Sequence, residues 1–237
     1  KNNLSPAGIA MDVNKGPLEK AQEHIREEKI GGKIATRLGN GLAPLEPGET
    51  DTVIIAGMGG DLICKILKAK PEFLIEGKEF ILQPQSEWFK IRRLLKEYRY
   101  QIEKEWFLKE DGKYYVIIKA EPAWTQPQRL KHQQPSIHEY IKEISDTQVN
   151  QAVSEKDMES IYEQYGKYLI ETKNPVLKEY LEKEITKKES IAAELKQSIK
   201  EIESEELSGK ERGNIAKRQR RYQEIQKEIR DMRKAIG

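Results

Sequence analysis

The chain holds 237 residues, with 42 Lys and Arg against 40 Asp and Glu, a net charge of +2, and ordinary amounts of Gly (16) and Pro (10). This composition excludes a collagen-like or low-complexity polymer. The single cysteine, Cys64, excludes a disulfide framework or cysteine-rich zinc site, and three scattered histidines (His24, His132, His138) suggest no metal cluster.

No apolar run approaches the roughly 20 residues of a membrane-spanning helix. No signal peptide is visible, so a cytoplasmic protein without metal or membrane partners is expected. Charge is uneven along the chain. Residues 1–175 are near neutral at −1, residues 176–207 carry −3, and residues 208–237 carry +6. A balanced globular part followed by a highly charged module of two opposed halves is the reading.

In chain order, Ile9-Ala10-Met11-Asp12 reads as a buried strand ending in an acid. A helix from about Gly16 follows, with Pro17 in its first turn and Leu18, Ala21 and Ile25 on one face. Lys33–Arg37 is a short strand before the turn Gly39-Asn40-Gly41. Thr52–Ala56 is the strongest strand and runs into Gly57-Met58-Gly59-Gly60, after which Asp61 is expected to cap a helix over Leu62–Ala69. Phe80-Ile81-Leu82 is another strand, followed by Gln83-Pro84 and a helix over Trp88–Tyr98.

Strands alternating with helices predict a parallel sheet. Gln101–Leu108 and Tyr114–Ala120 instead flank Asp111-Gly112, a hairpin signal. A parallel sheet closed by an antiparallel pair is the strand plan of class I methyltransferases; a plain dinucleotide-binding fold would end on another βα unit.

Residues 121–135 are rich in Gln and Pro and read as exposed. Helical character returns near Glu155–Leu169 and ends at Asn174-Pro175. Then Leu181, Ile185, Ala192, Leu195, Ile199 and Ile202 follow heptad spacing, with Lys188 the polar break. After Ser208-Gly209, Ile215, Tyr222, Ile225, Ile229, Met232 and Ile236 resume it, with a break at Arg218. An antiparallel coiled-coil hairpin is predicted, its acidic first arm against its basic second arm, each roughly 40 Å long at 1.5 Å per residue.

Several positions offer chemistry. Asp12, at a strand's carboxyl end, suits the ribose hydroxyls of a nucleoside cofactor; capping the next helix is the other reading. Asn40 can meet an adenine edge, with Gly39 and Gly41 letting backbone approach a flat ring; an ordinary turn explains the same residues. Gly57-Met58-Gly59-Gly60 sets bare backbone at the ligand rim of the sheet, to admit a planar base or cofactor, and lacks the Gly-Lys-Ser/Thr of a P-loop. Gln83 offers a donor and an acceptor to a base edge, or Gln83-Pro84 is a simple turn. Cys64, on an apolar helix, is a core residue, and Trp106-Phe107 and Tyr114-Tyr115 are packing. Lys217, Arg218, Arg220 and Arg221 can grip phosphates, or form a solvated helix face.

These motifs, in this order, resemble the bacterial tRNA adenine-22 N1-methyltransferase family. The likeness runs through Asp12–Pro17, Arg37–Leu42, Ile55–Gly60, Leu82-Gln83-Pro84, Gly112–Tyr115, and Tyr165-Gly166 to Lys173-Asn174-Pro175. It implies S-adenosylmethionine as cofactor and tRNA as partner. Asp12, Val13, Asn14, Asn40, Gly41 and Leu42 would bind the cofactor. Gly57, Met58, Gly59, Gly60, Gln83 and Pro84 would line the target-base pocket. Lys217, Arg220 and Arg221 would hold tRNA.

The family carries a candidate catalytic Asp on a glycine-rich loop before the Asp12 strand. Here it would lie upstream of Lys1, so an N-terminally incomplete sequence is expected. The expected division is a methyltransferase domain over 1–120, a linker over 121–175 and a coiled coil over 176–237. Two other readings are another class I methyltransferase, acting on other RNA or a small molecule, and a non-catalytic coiled-coil adaptor.

Overall fold

The structure, a computed structural model, describes residues 5–123, 153–203 and 209–237. Expectations for Ile202 at the coil seam, for the stretch after Ala123, and for His132, His138 and Ser208 lie outside the described residues or side chains.

Strand β1 (Gly8–Asp12) pairs in parallel with β2 (Ile34–Leu38), Asp12 standing opposite Leu38, and α1 (Lys15–Glu27) connects them. None of the β1 residues is fully buried, contrary to the expectation for this run. The pair is a two-stranded sheet, whereas the other described strands form a separate one. That second sheet has the order β3-β4-β6-β5, built from β3 (Thr52–Met58), β4 (Glu79–Pro84), β5 (Tyr100–Glu110) and β6 (Lys113–Pro122). β3 and β4 are parallel; β6 runs antiparallel to both β4 and β5. The β5–β6 turn is Asp111-Gly112, with φ of 47° and 75°, the double left-handed geometry of a two-residue hairpin.

Helix α2 (Gly60–Ala69) starts earlier than predicted. Its N-cap is Gly59, and Asp61 lies inside the first turn, not at the cap. A short helix α3 (Pro71–Ile75) follows that the sequence reading missed; proline at its first position starts a new turn where α2 stops. Helix α4 (Trp88–Glu97) packs Ile91, Leu94 and Leu95 against the sheet.

The helical stretch predicted over Glu155–Leu169 is two helices, α5 (Val153–Tyr165) and α6 (Lys167–Glu171), broken at Gly166. Asn174 begins α7 (Pro175–Glu203): its Oδ1 accepts the Val176 and Leu177 N–H groups, both at 3.0 Å. Helix α8 (Gly209–Ile236) returns antiparallel beside it.

The seam matches the heptad reading. Leu181, Ile185, Ala192 and Ile199 face Ile215, Ile225, Ile229 and Met232, all buried. Both predicted breaks are satisfied across it, Lys188 by Glu228 and Arg218 by Ser198 Oγ. The simple picture of acidic arm against basic arm is only half right. Arg233–Glu189 obeys it, but Lys188–Glu228 runs the other way.

One buried cluster runs from Phe80, Leu82 and Phe107 in the sheet through Ile161, Tyr165 and Leu169 to Leu177 and Leu181 in the coil. Trp88, Phe107, Tyr114 and Tyr180 stack with ring centroids 5.0–5.9 Å apart, binding α4 and the hairpin to α7. At the centre of this joint is a buried ion pair. Arg92 Nε donates to Glu105 Oε1 at 2.8 Å, and Arg92 Nη1 donates to the Glu163 and Gln164 carbonyls, each at 3.0 Å. The guanidinium thus caps the negative end of α5 as well as facing a carboxylate. Burial pushes the Glu105 carboxyl up, and Arg92 opposes that shift.

Gly166 sits directly on the pair at φ +92°. A Cβ there would strike Glu105 Oε2 and come within 2.8 Å of Arg92 Nη2. Replacing Arg92 by Met strands a buried carboxylate and should cost about 3–5 kcal/mol. Gly166→Ala should destabilise by a comparable amount through backbone strain and the clash. Denaturant melts of both variants test this; midpoints within error of wild type would remove the joint as a stability determinant.

Candidate functional site

The carboxyl ends of β1, β2, β3 and β4 carry the loops where ligands bind in open α/β sheets. Asp12 ends β1, half-buried, and its Oδ1 accepts the Asn14 N–H at 2.7 Å. Gly39 N–H donates to the Asp12 carbonyl at 3.0 Å, tying the next loop to this strand end. Asp12 is not the helix cap; Asn14 holds that position, without a side-chain bond to the helix. The Asp12 carboxylate retains lone pairs for further donors. Val13 and Asn14 are exposed on the same rim.

The Gly39–Gly41 segment opens a fixed loop, not a loose turn. Leu42 and Leu45 are buried in the core. Gly41, at φ +55°, lies so close to α2 that a Cβ would meet Ile66 Cγ2 at 2.9 Å. Asn40 is left exposed at the tip, its carbonyl accepting the Ala43 N–H. Of the three residues assigned to the cofactor here, Leu42 has its side chain in the core, so only its backbone can face a ligand.

Gly57 is the irregular residue between the Ala56–Gln83 and Met58–Pro84 pairs of the β3–β4 ladder. Its φ is +78°, and its N–H donates to Gln83 Oε1 at 2.7 Å. One lone pair of the Gln83 oxygen is thus engaged by the protein's own backbone, and the other remains as an acceptor. Its Nε2 is buried with no partner among the described residues. Pro84 is buried, and Met58 accepts the Gln85 N–H at its carbonyl, 2.8 Å.

Gly59 and Gly60 are backed by the β4–α4 connection: Gly60 N–H donates to the Ser86 carbonyl at 2.9 Å. A Cβ on Gly60 would meet the Glu87 and Ser86 carbonyl oxygens at 2.6 and 2.7 Å. Backbone against backbone leaves no flexible group to give way, which is why this position requires glycine.

Beside the loop is a charge network that the sequence reading did not anticipate. Asp61 bonds Lys65 at 2.7 Å and Lys90 at 2.8 Å, and Lys90 also pairs with Glu87. Those lysines hold the Asp61 carboxyl at about 2, and the Asp61 and Glu87 carboxylates push the Lys90 ammonium up. The Asp61 contribution is therefore complete above the ordinary carboxylate value of 3.8 and is lost as pH falls toward 2. Only the i,i+3 and i,i+4 spacings 87/90 and 61/65 were readable in sequence; the Asp61–Lys90 link joins two helices. Cys64 is half-buried, and burial raises its thiol pKa, as suits a packing residue.

On the coil, Lys217, Arg220 and Arg221 are all exposed. Arg220 reaches Glu224 at 3.4 Å, and Arg221 reaches Glu224 and Glu228, so two of the three already have carboxylate partners on their own helix. Among the described residues there is no metal-ligating cluster and no helix long and apolar enough to cross a membrane.

A parallel βαβ framework, an acid at the first described strand end, a glycine loop after β3 and a closing antiparallel hairpin define a class I methyltransferase. The chain belongs to the tRNA (adenine(22)-N(1))-methyltransferase family, whose model matches residues 1–164. This family transfers a methyl group from S-adenosylmethionine to N1 of adenine 22 in tRNA. The chain is 32% identical to the tRNA (adenine(22)-N(1))-methyltransferase of Bacillus subtilis over 181 residues, covering 63% of this chain and 75% of the relative. The crystal structure of the B. subtilis M1A22 tRNA methyltransferase TrmK superposes with a TM-score of 0.67 at 24% identity, over 98% of this chain and 82% of that one. A putative tRNA (m1A22) methyltransferase from Streptococcus pneumoniae, solved in complex with S-adenosyl-L-methionine, gives a TM-score of 0.62 at 23% identity, over 98% and 82%.

Gly60→Ala should cost about 1–3 kcal/mol through overpacking and remove methyl transfer, because the β4–α4 loop must shift. Gly32→Ala, where a Cβ meets nothing within 4 Å, should do neither. Parallel thermal melts and methyl-transfer assays test the pair; an active, stable Gly60→Ala protein would show that this close approach is not needed.

Proposed function

We propose that the rim described above is the methyl-transfer site of this chain, with the following division of labour. Asp12 accepts hydrogen bonds from the cofactor ribose, Val13 and Asn14 line the same edge, and Asn40, Gly41 and the Leu42 backbone lie against its adenine. Gly57, Met58, Gly59 and Gly60, with Gln83 and Pro84, form the wall against which the target base is set. The residues fit the cofactor: a carboxylate for a diol, an exposed amide for a base edge, and bare backbone where a planar group must approach. The supporting observation is that the Asp12 strand end, the Asn40 loop and α2 are tied together, by the Gly39 N–H bond to Asp12 and by the close packing of Gly41 on Ile66.

S-adenosylmethionine, when bound, supplies an electrophilic methyl group on a sulfonium. Neutral adenine carries no proton at N1, so attack by its lone pair needs no base at that atom. The protein's task is alignment, exclusion of water and exposure of a base edge that pairing hides. Gln83 serves that alignment indirectly, by holding the Gly57 N–H and so the shape of the loop.

In this reading residues 1–120 are the catalytic unit, 176–237 an arm that holds tRNA, and 121–175 the connection. A tRNA substrate accords with a cytoplasmic enzyme. Lys217, Arg220 and Arg221 contact phosphates, exchanging weak exposed pairs with Glu224 and Glu228 for RNA.

The deciding experiment is mass spectrometry of nucleosides from tRNA incubated with the full-length protein and S-adenosylmethionine. N1-methyladenosine mapped to position 22 is expected, and unmodified tRNA would overturn the assignment. Asp12→Ala should weaken cofactor binding by about 1–3 kcal/mol with the fold intact; unchanged calorimetric affinity would remove Asp12 from the site. Replacing Lys217, Arg220 and Arg221 with Gln should weaken tRNA binding and reduce its log–log salt slope by roughly 0.7–0.9 per lost phosphate contact. Cofactor affinity should not move. A wild-type slope and affinity would show that these cations are only a solvated face.

A further inference from the structure

We infer that Arg37 and Glu49 are positioning residues for the cofactor: their ion pair is a clasp that closes the loop carrying Asn40 and holds it in its binding shape. The inference rests on the proposed reading of Asn40, Gly41 and Leu42 as the adenine side of the site.

Arg37 lies in β2, just before the loop, and Glu49 lies at its far end, just before β3. The two side chains meet fork to fork, Nη1 to Oε2 and Nη2 to Oε1, both at 2.6 Å. Arg37 Nη1 also donates to the Pro44 carbonyl at 2.9 Å, and Glu49 Oε2 also accepts the Glu46 N–H at 2.7 Å. One planar pair thus fixes both ends of the loop and two points inside it. From the other side, Lys70 Nζ donates to the Leu45 carbonyl at 2.7 Å.

Such a clasp is more than a turn between strands needs. A loop that merely connects two elements is satisfied by solvent, with exposed backbone and variable shape. Here a bidentate charged pair is spent on a segment whose tip, Asn40, is exposed and bonds no described side chain that would explain the effort. The geometry is specific to arginine. Lysine keeps the charge but cannot make two parallel bonds to one carboxylate while reaching a carbonyl. The clasp also holds across the working range of pH: Arg37 and the Glu46 N–H keep the Glu49 carboxyl at about 2, so it stays charged well below neutrality.

The consequence is a separation of effects. Neither residue reaches the glycine wall or the coil in any described contact, so loosening the clasp should disturb cofactor recognition and leave transfer and tRNA grip alone. In the full-length enzyme, Glu49→Gln and Arg37→Lys should each raise KM for S-adenosylmethionine roughly tenfold, as expected for losing a bidentate charged bond. At saturating cofactor, kcat and the KM for tRNA should stay within about twofold of wild type. Amide exchange of Ala43 and Leu45, bonded within the loop to Asn40 and Leu42, should quicken in both variants. The swapped double variant Arg37→Glu with Glu49→Arg should recover part of the lost affinity.

Asn40→Ala, measured alongside, separates this inference from the site reading. If Asn40→Ala weakens cofactor binding and the clasp variants do not, the clasp inference is overturned and the site stands. If Asn40→Ala leaves cofactor binding unchanged, the loop is not the adenine side and the inference falls with that reading. Faster exchange in the loop with unchanged KM for the cofactor would also overturn it, leaving the pair a local structural bond. A fall in kcat matching the rise in KM would assign Arg37 and Glu49 to general stability instead.

Discussion

Arg92 and Glu105 meet where α4, the four-stranded sheet and the helices leading into the coil come together. Arg92 belongs to the helix that follows the β4 end, Glu105 to the edge strand of the closing hairpin, and the carbonyls that Arg92 also holds belong to the helix leading into the coil. Removing two charges from water is costly, and the attraction between them roughly offsets that cost. The pair therefore adds little net stability when complete and exacts a large penalty when broken. Its effect is on specificity of arrangement. The chain can turn from α5 into α6 only with a residue that has no Cβ, because the turn passes directly over the pair. The path into the coil is thereby fixed relative to the sheet.

The same joint connects the arm to the rim. Trp88 starts α4 immediately after Ser86 and Glu87, whose carbonyls press on Gly60, and its ring also packs on Phe107 and Tyr180. An enzyme that grips a large RNA at one end and presents a small atom of it at the other needs a rigid connection between the two. Continuous packing from the glycine loop through Trp88 to Tyr180 provides one, and this accords with the proposed division between a catalytic unit and a tRNA arm. In the proposed mechanism the reaction depends on such positioning, since neutral adenine N1 presents its lone pair without losing a proton.

Charge is used differently around the rim and on the exposed face that carries Arg220 and Arg221. Around the rim, carboxylates and cations are interlocked across elements, Asp61 with Lys90 and Arg37 with Glu49, and so hold backbone in place. Along the coil, Arg220 and Arg221 pair with carboxylates one turn away on their own helix. Exposed pairs of that second kind are weak and readily exchanged, which suits a surface proposed to take up phosphates. The sequence shows the same residue types in both places; only the tertiary partners separate a fixed charge from an exchangeable one.

Elements with a strong local signature were legible in the sequence. The β3 strand, the Asp111-Gly112 hairpin and the heptad seam follow from alternation, turn chemistry and a 3.5-residue period, each a property of neighbours along the chain. So does the family, since short motifs in order survive in sequence. The local signal failed where a distant group decides the structure. Gly166 reads as one residue in a helical stretch, yet the helix breaks there, and Glu105, some sixty positions earlier, leaves no room for a Cβ. Gln83 reads as a free amide, yet its oxygen already accepts the Gly57 N–H from the neighbouring strand. Leu42 sits within a ligand-like motif, yet its side chain goes to the core. Residue types and spacing determined which groups were available; the partners that fold brings from far along the chain decided which of their atoms remain free.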